Sequence, residues 1–218
     1  MVVMSKVAVI TGASRGLGLA IATEFASNDW STLGTGRSDK PYDLPAGVTY
    51  KQFDAGDATS CESFWKELAS QYPNAEVCLI NNAGGYVSGS LTETTPEDYG
   101  KQMRSCYFTA VYMTRGLAIA YPKARVINVI SSSALTAHKN NAAYGAAKAA
   151  EMHFFHSLQA EFKPERYQIT NLYPSDIASG GPNPDAIHPQ DLAKYIRDLA
   201  ESETSIYLRD ATLYPHSG

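Results

Sequence analysis

Cysteine is scarce in this chain. Cys61, Cys78 and Cys106 are the only three in 218 residues, and they lack paired spacing. This excludes a disulfide framework and a cysteine-held zinc site, and it points to buried or incidental thiols in a reducing cytoplasm. No apolar run is long enough to make a membrane-spanning helix. Residues 1–6 are too short for a signal sequence, so a cytoplasmic location is expected. Clusters of basic residues are also missing. Eighteen Lys and Arg against 22 Asp and Glu leave a net charge of −4, which argues against nucleic acid or an anionic membrane surface as a partner. No repeat, low-complexity linker or shift in composition divides the chain, so residues 1–218 are expected to form one domain. His153 and His156 are helical neighbours, but no third ligand is in view and no metal site is expected.

What is present is a regular alternation of buried strands and helices. Residues 6–11 are apolar and β-branched, as in a buried parallel strand. They run into Gly12-Ala13-Ser14-Arg15-Gly16-Leu17-Gly18, then into a segment where Leu17, Ile21 and Phe25 repeat at helical spacing. Strand, glycine turn and helix in that order form a dinucleotide-binding opening. Gly12 suits the tight turn, Gly16 the close approach of backbone to a diphosphate, and Gly18 the packing of helix on strand. Further strands are expected at 31–35, 48–53, 77–81, 126–130, 169–173 and 205–208, and helices at 17–28, 60–71, 97–120, 143–162 and 189–202. Thr95 and Pro96 suit a helix start, as does Pro189. The pattern implies a doubly wound α/β fold with about seven strands and helices on both faces. Only residues 36–47 join the second and third strands, with Pro41 and Pro45 inside, so the crossover helix there is expected to be missing and the adjoining site to be open.

The most informative pair is Tyr144 and Lys148, four apart on a predicted helix and so on one face. A phenol with a pKa of about 10 is a poor acid or base at neutral pH. A neighbouring ammonium stabilises the phenolate and suits the tyrosine to exchange a proton with a carbonyl or alcohol oxygen. Thr-Gly-x-x-x-Gly-x-Gly at 11–18, Asn-Asn-Ala-Gly at 81–84, a serine after the fifth strand and Tyr-x-x-x-Lys at 144–148 occur in one order across most of the chain. In these motifs the chain resembles the short-chain dehydrogenase/reductase family.

That resemblance implies direct hydride transfer between a nicotinamide and a substrate carbon. Tyr144 would supply the proton, Ser131 would hold the substrate oxygen, and Lys148 would lower the Tyr144 pKa and hold the nicotinamide ribose. Ser132 is the fallback for Ser131. Gly12, Ser14, Arg15, Gly16, Leu17, Gly18, Arg37, Asp54, Asn81, Ala83, Gly84, Pro174 and Ile177, with Tyr144 and Lys148, would line the cofactor site. Asp54 would face the adenine amino group and Asn81 the adenine-side ribose. The second strand ends in Thr35-Gly36-Arg37-Ser38 with no acid, and Arg15 supplies a second cation. Guanidinium groups bind phosphate strongly, so NADP(H) is expected over NAD(H).

Departures from the family pattern matter too. Where many members carry an asparagine in the fourth helix, this chain has Cys106, or Ser105 if the register slips by one. Ser175 replaces the glycine of the Pro-Gly segment, and Ser179 occupies the position of a carboxamide-binding threonine. Residues 180–188 are rich in Gly and Pro and shorter than the usual lid, so a mobile loop and a shallow pocket are expected, with Tyr86, His138 and Tyr173 as candidate lining. Met113, Phe154 and Phe155 are candidates for a homodimer or homotetramer face. Three readings stand: an NADPH-dependent reductase of small carbonyl compounds (a pterin-type reductase among them), a regulatory or redox-sensing NADP(H)-binding protein with weakened chemistry, and a scaffold.

Overall fold

The computed structural model describes residues 5–39, 41, 43–178, 185–202 and 206–216. Seven parallel strands form one sheet in the order β3-β2-β1-β4-β5-β6-β7. They are β1 (Lys6–Thr11), β2 (Ser31–Gly36), β3 (Val48–Gln52), β4 (Glu76–Asn81), β5 (Ala124–Val129), β6 (Tyr167–Pro174) and β7 (Asp210–Leu213). The helices are α1 (Gly16–Ala26), α2 (Ala58–Gln71), α3 (Pro96–Met103), α4 (Thr109–Ala120), α5 (Ala142–Glu161) and α6 (Pro189–Glu201). A π-helical turn, Arg104–Phe108, joins α3 to α4, so the helix expected over 97–120 is continuous but locally widened and underwound.

Strand alternation divides the core into two halves. Val7 and Val9 of β1 and Val77 and Leu79 of β4 face Trp65 of α2, Met113 and Leu117 of α4 and Phe155 of α5. Ala8, Ile10, Cys78 and Ile80 face the other way, onto Ile21 and Phe25 of α1 and Leu192 and Ile196 of α6. Both faces are covered, which is why these strands are continuously apolar. Thr95 caps α3 in a reciprocal capping box with Asp98, and Pro96 begins its first turn.

Several expectations need correction. The last strand begins at Asp210; residues 206–208 precede it without strand pairing, and Ser205 lies outside the described residues. Met113 and Phe155, candidates for an exposed face, are fully buried in the core, where α4 and α5 pack on the sheet. Ser179 and residues 180–184 of the expected loop lie outside the described residues. Between β2 and β3 the described residues form turns. Gln52 donates to the Arg37 carbonyl at 3.2 Å and the Tyr50 hydroxyl donates to the Ser38 carbonyl at 3.2 Å, tying the linker to β3.

The chain reverses its strand order between β1 and β4, and ligands of open α/β sheets bind beyond the carboxyl ends of strands at such a point.

Candidate active site

Beyond those strand ends lie two clefts, of about 1150 and about 410 Å³, which share Arg15, Gly16, Leu17, Asn82 and Gly84 in their walls. Together they form one trough. Thr11 shapes its floor. Its hydroxyl accepts hydrogen bonds from the backbone N–H of Asn82 at 3.0 Å and of Ala83 at 2.9 Å, while Asn82 Nδ2 donates to the Thr11 carbonyl at 3.0 Å. The glycine turn thus meets the Asn-Asn-Ala-Gly loop at fixed spacing. Gly12 sits at φ 68°, and a Cβ there would stand 2.9 Å from the Ala83 Cα. A Cβ on Gly18 would lie 2.2 Å from the Gly12 carbonyl oxygen. Gly16 differs: at φ 55° its missing side chain would meet nothing within 4 Å. That open space at the start of α1, whose N-cap residue Arg15 makes no side-chain cap, is where a diphosphate would reach backbone N–H groups.

The smaller cleft holds Gly12, Ser14, Gly18, Arg37, Asp54 and Ala83 in its walls. Arg15 and Arg37 enter no ion pair among the described residues. Two further cations, Lys101 and Arg104, complete a positive rim that the sequence reading did not include. Their positions follow from the packing of α3 and the π turn, which no local motif announces. Asp54 turns one oxygen inward to accept from the Gly56 N–H at 2.9 Å. The Thr35 hydroxyl oxygen, buried in this wall, has no protein partner, nor does the Ser175 hydroxyl oxygen in the larger cleft. Buried polar groups are normally satisfied, so both are free to serve a polar ligand. An extended dinucleotide fits these features: phosphates at Gly16, a charged adenine end at Arg37, a polar nicotinamide end at Ser175.

Asn81 is not part of the trough. It stands in register with Asn128, Asn128 with Asn171, and Asn171 with Asp210. Their side chains form a buried chain in which Asn81 donates to Asn128 at 2.9 Å, Asn128 to Asn171 at 2.8 Å and Asn171 to Asp210 at 3.1 Å. The expected ribose contact finds no support in this geometry: Asn81 lines neither cleft and its Nδ2 is engaged inside the sheet, although its Oδ1 has no protein partner. Asn82, one residue on, reaches both clefts instead.

The larger cleft brings together Ser131, Tyr144 and Lys148, with Pro174 and Ile177 in its wall. Ser131 precedes the short 3₁₀ turn Ser132–Ala134 and accepts from the Ser133 N–H at 3.1 Å; Ser132 does not reach the cleft. Ile177 is held by a parallel bridge to Ile187, which carries His188, Pro189 and Gln190 into the wall. Tyr86 also lines the cleft, its ring edge-on to Tyr144 with centroids 5.1 Å apart. The other two candidates for the pocket lie elsewhere. His138 lines a separate groove, and the Tyr173 hydroxyl is held by Asp210 at 2.8 Å and His156 at 3.1 Å.

Burial raises the Tyr144 pKa above that of an ordinary phenol. Lys148 and the Ser131 hydroxyl pull it down, and Cys106 and Glu151 push it up. The net lowering expected from Lys148 alone is thus not realised, because desolvation penalises the phenolate and the ammonium is partly cancelled. The cancelling group is Glu151, which the sequence reading overlooked. Its carboxylate accepts from Lys148 Nζ at 2.8 Å, and the two side chains are 2% and 3% exposed. Lys148 also donates to the Val129 carbonyl at 3.2 Å, leaving one of its three donors for the cleft. Burial alone would lower the Lys148 pKa; Glu151, with Cys106 and Tyr144, carries it above the ordinary value.

Cys106 does face this site. A Cβ on Gly84 would lie 3.4 Å from its sulfur and 3.8 Å from Lys148 Nζ. The sulfur accepts from Gln102 at 3.0 Å, and the same amide group donates to the Gly85 carbonyl at 2.7 Å. Ser105 points to the neighbouring backbone and accepts from the Gly85 N–H at 3.3 Å.

A family model described as short chain dehydrogenase matches residues 6–184. The chain is 28% identical over 172 residues to an NADPH-dependent 1-acyldihydroxyacetone phosphate reductase of Schizosaccharomyces pombe, covering 77% of this chain and 58% of that protein. It is 24% identical to a 3-oxoacyl-[acyl-carrier-protein] reductase of Haemophilus influenzae over 98% of this chain and 97% of that one. An alcohol dehydrogenase of Thermococcus sibiricus, solved with 5-hydroxy-NADP, superposes with a TM-score of 0.86 at 21% identity, covering 98% of both chains.

Proposed function

The chain belongs to the short-chain dehydrogenase family of nicotinamide-dependent oxidoreductases, and from that premise we propose that it is an NADPH-dependent reductase of small carbonyl compounds. The observation that carries this reading is the convergence of Ser131, Tyr144 and Lys148 on one wall of a trough whose other end is rimmed by Arg15 and Arg37. The bound reduced nicotinamide would supply a hydride to the carbonyl carbon. Tyr144 gives its proton to the developing alkoxide, Ser131 donates a hydrogen bond to the same oxygen, and Lys148 holds the ribose side through its remaining donor. The two reductases to which the chain is similar act on carbonyl substrates by name, and one is named as NADPH-dependent. The cytoplasm supplies NADPH and is the proposed location. No helix among the described residues is long and apolar enough to cross a membrane.

Cofactor choice rests on the arginines. Binding titrations are expected to give a clear preference for NADPH over NADH. Arg37→Ala should weaken NADPH by about tenfold to a hundredfold, the loss of a charge-assisted hydrogen bond pair, and leave NADH nearly unchanged. Equal losses for both cofactors would remove Arg37 from the 2′-phosphate. The redox-sensing reading has less support: Cys106 is fully buried and tethered by Gln102, whereas sensor thiols are accessible. A homodimer or homotetramer is proposed on the half-exposed Phe108, stacked on Tyr112 at 5.6 Å beside α4. Sedimentation velocity checks this, and a purely monomeric chain at micromolar concentration would refute it.

A further inference from the structure

Glu151 plays no part in the chemistry just described, yet it is as deeply buried as any charged group among the described residues. It lies three residues beyond Lys148 on α5, so helical geometry stacks the two side chains. Its Oε2 sits 2.8 Å from Nζ with both side chains at most 3% exposed. A surface pair at this spacing contributes little, but a dry one changes what each group does. Three donors radiate from Nζ: one to Glu151, one to the Val129 carbonyl at the end of β5, and one toward the cleft. The carboxylate therefore fixes the ammonium against the strand end and sets a negative charge behind it; burial raises the Glu151 pKa, and Lys148 pulls it back down.

We propose that Glu151 is a positioning residue that anchors Lys148 and cancels its field, so that Tyr144 remains the proton-bearing phenol that donates to a carbonyl. The proposal rests on the reductase reading and deepens it, by naming what weights the site toward proton donation. Without Glu151 both Lys148 and Tyr144 lose the anion that helps them keep their protons, so the coupled pair gives up its first proton at lower pH and the phenolate paired with the ammonium, the form suited to taking a proton from an alcohol, is reached sooner. The other groups facing this cluster are few. Cys106 approaches from the π turn, Ser131 from the end of β5, and Tyr173 from β6, where its hydroxyl is already engaged by Asp210 and His156. None of these supplies a compensating anion beside Nζ.

The test is Glu151→Gln, which keeps an oxygen for Nζ and removes the charge. In the carbonyl-reduction direction, the alkaline limb of the kcat–pH profile should move down by about one pH unit or more, with KM for the carbonyl substrate little changed. A limb that overlays the wild type, or moves up, overturns the proposal. A readout free of turnover comes from phenolate absorbance. The step that disappears on Tyr144→Phe is titrated in wild-type and Glu151→Gln backgrounds, and it should fall in the latter. If no carbonyl substrate is turned over but the step falls, the reductase reading fails and the role of Glu151 stands. A step that stays put overturns that role whatever the activity. Should Glu151→Gln not fold, Glu151→Asp draws the carboxylate back from Nζ, and a smaller downward movement is expected. An unmoved step then counts against the proposal equally.

Discussion

Tyr144→Phe is expected to cut kcat for NADPH-dependent carbonyl reduction by about 10³-fold, within the 10²–10⁴ range that a positioned proton donor contributes. NADPH affinity should stay within about twofold, because the phenol is one contact on a long trough whose phosphate and adenine contacts lie elsewhere. The change removes one oxygen and leaves the ring, so packing against Tyr86 at 5.1 Å persists and folding should not suffer. Steady-state consumption of NADPH and of NADH against aldehydes, ketones, diketones, quinones and pterins gives the comparison. Activity retained in the variant would refute the role of Tyr144. The pH dependence carries a sign as well. Tyr144 holds its proton more tightly than an ordinary phenol, chiefly through burial. Reduction, which needs the phenol, should therefore persist through neutral pH and fail only on the alkaline side.

The sequence was legible wherever function depends on residues close together in the chain. Tyr144 and Lys148 are one helical turn apart, and the three glycines of the first turn fall within seven residues, two of them at positive φ, so type and spacing alone locate them. The same reasoning went astray where the partner comes from another strand. Asn81 reads as a trough residue by position, but the register of β4 and β5 pairs it with Asn128, which β6 in turn pairs with Asn171. Tyr173 follows the same logic, since β7 brings Asp210 to its hydroxyl. Lys101 and Arg104 reach the adenine-side rim through the course of α3 and the π turn, which hydrophobic periodicity does not encode. Glu151 was hidden for the opposite reason. A Lys and a Glu three apart on a helix are commonplace on surfaces, and only burial turns the pair into a determinant of the site.

That burial makes the second large effect one of stability. Lys148→Met should destabilise the protein by about 3–5 kcal/mol at neutral pH, the cost of leaving one partner of a buried ion pair uncompensated. Glu151→Leu should cost a similar amount, with the ammonium now stranded. Lys148→Met combined with Glu151→Leu removes both charges together. Apolar replacements of buried pairs are near neutral, so most of the loss should return, a coupling well outside the additivity of independent sites. Denaturant midpoints with unchanged slopes measure this. The pH dependence of the single variant distinguishes a stranded charge from a cavity. Below the ordinary carboxyl value of 4.5, the lone Glu151 is protonated in both folded and unfolded chains, and its penalty nearly vanishes. As pH rises the unfolded chain ionises first, because burial holds the folded carboxyl protonated to higher pH, and the penalty accumulates. A cavity would cost the same at every pH. The double variant should regain the stability but not the turnover, since the donor proposed to hold the ribose is gone. If it regained neither, the pair would not be the source of the cost. Recovery of both would remove Lys148 from the chemistry altogether.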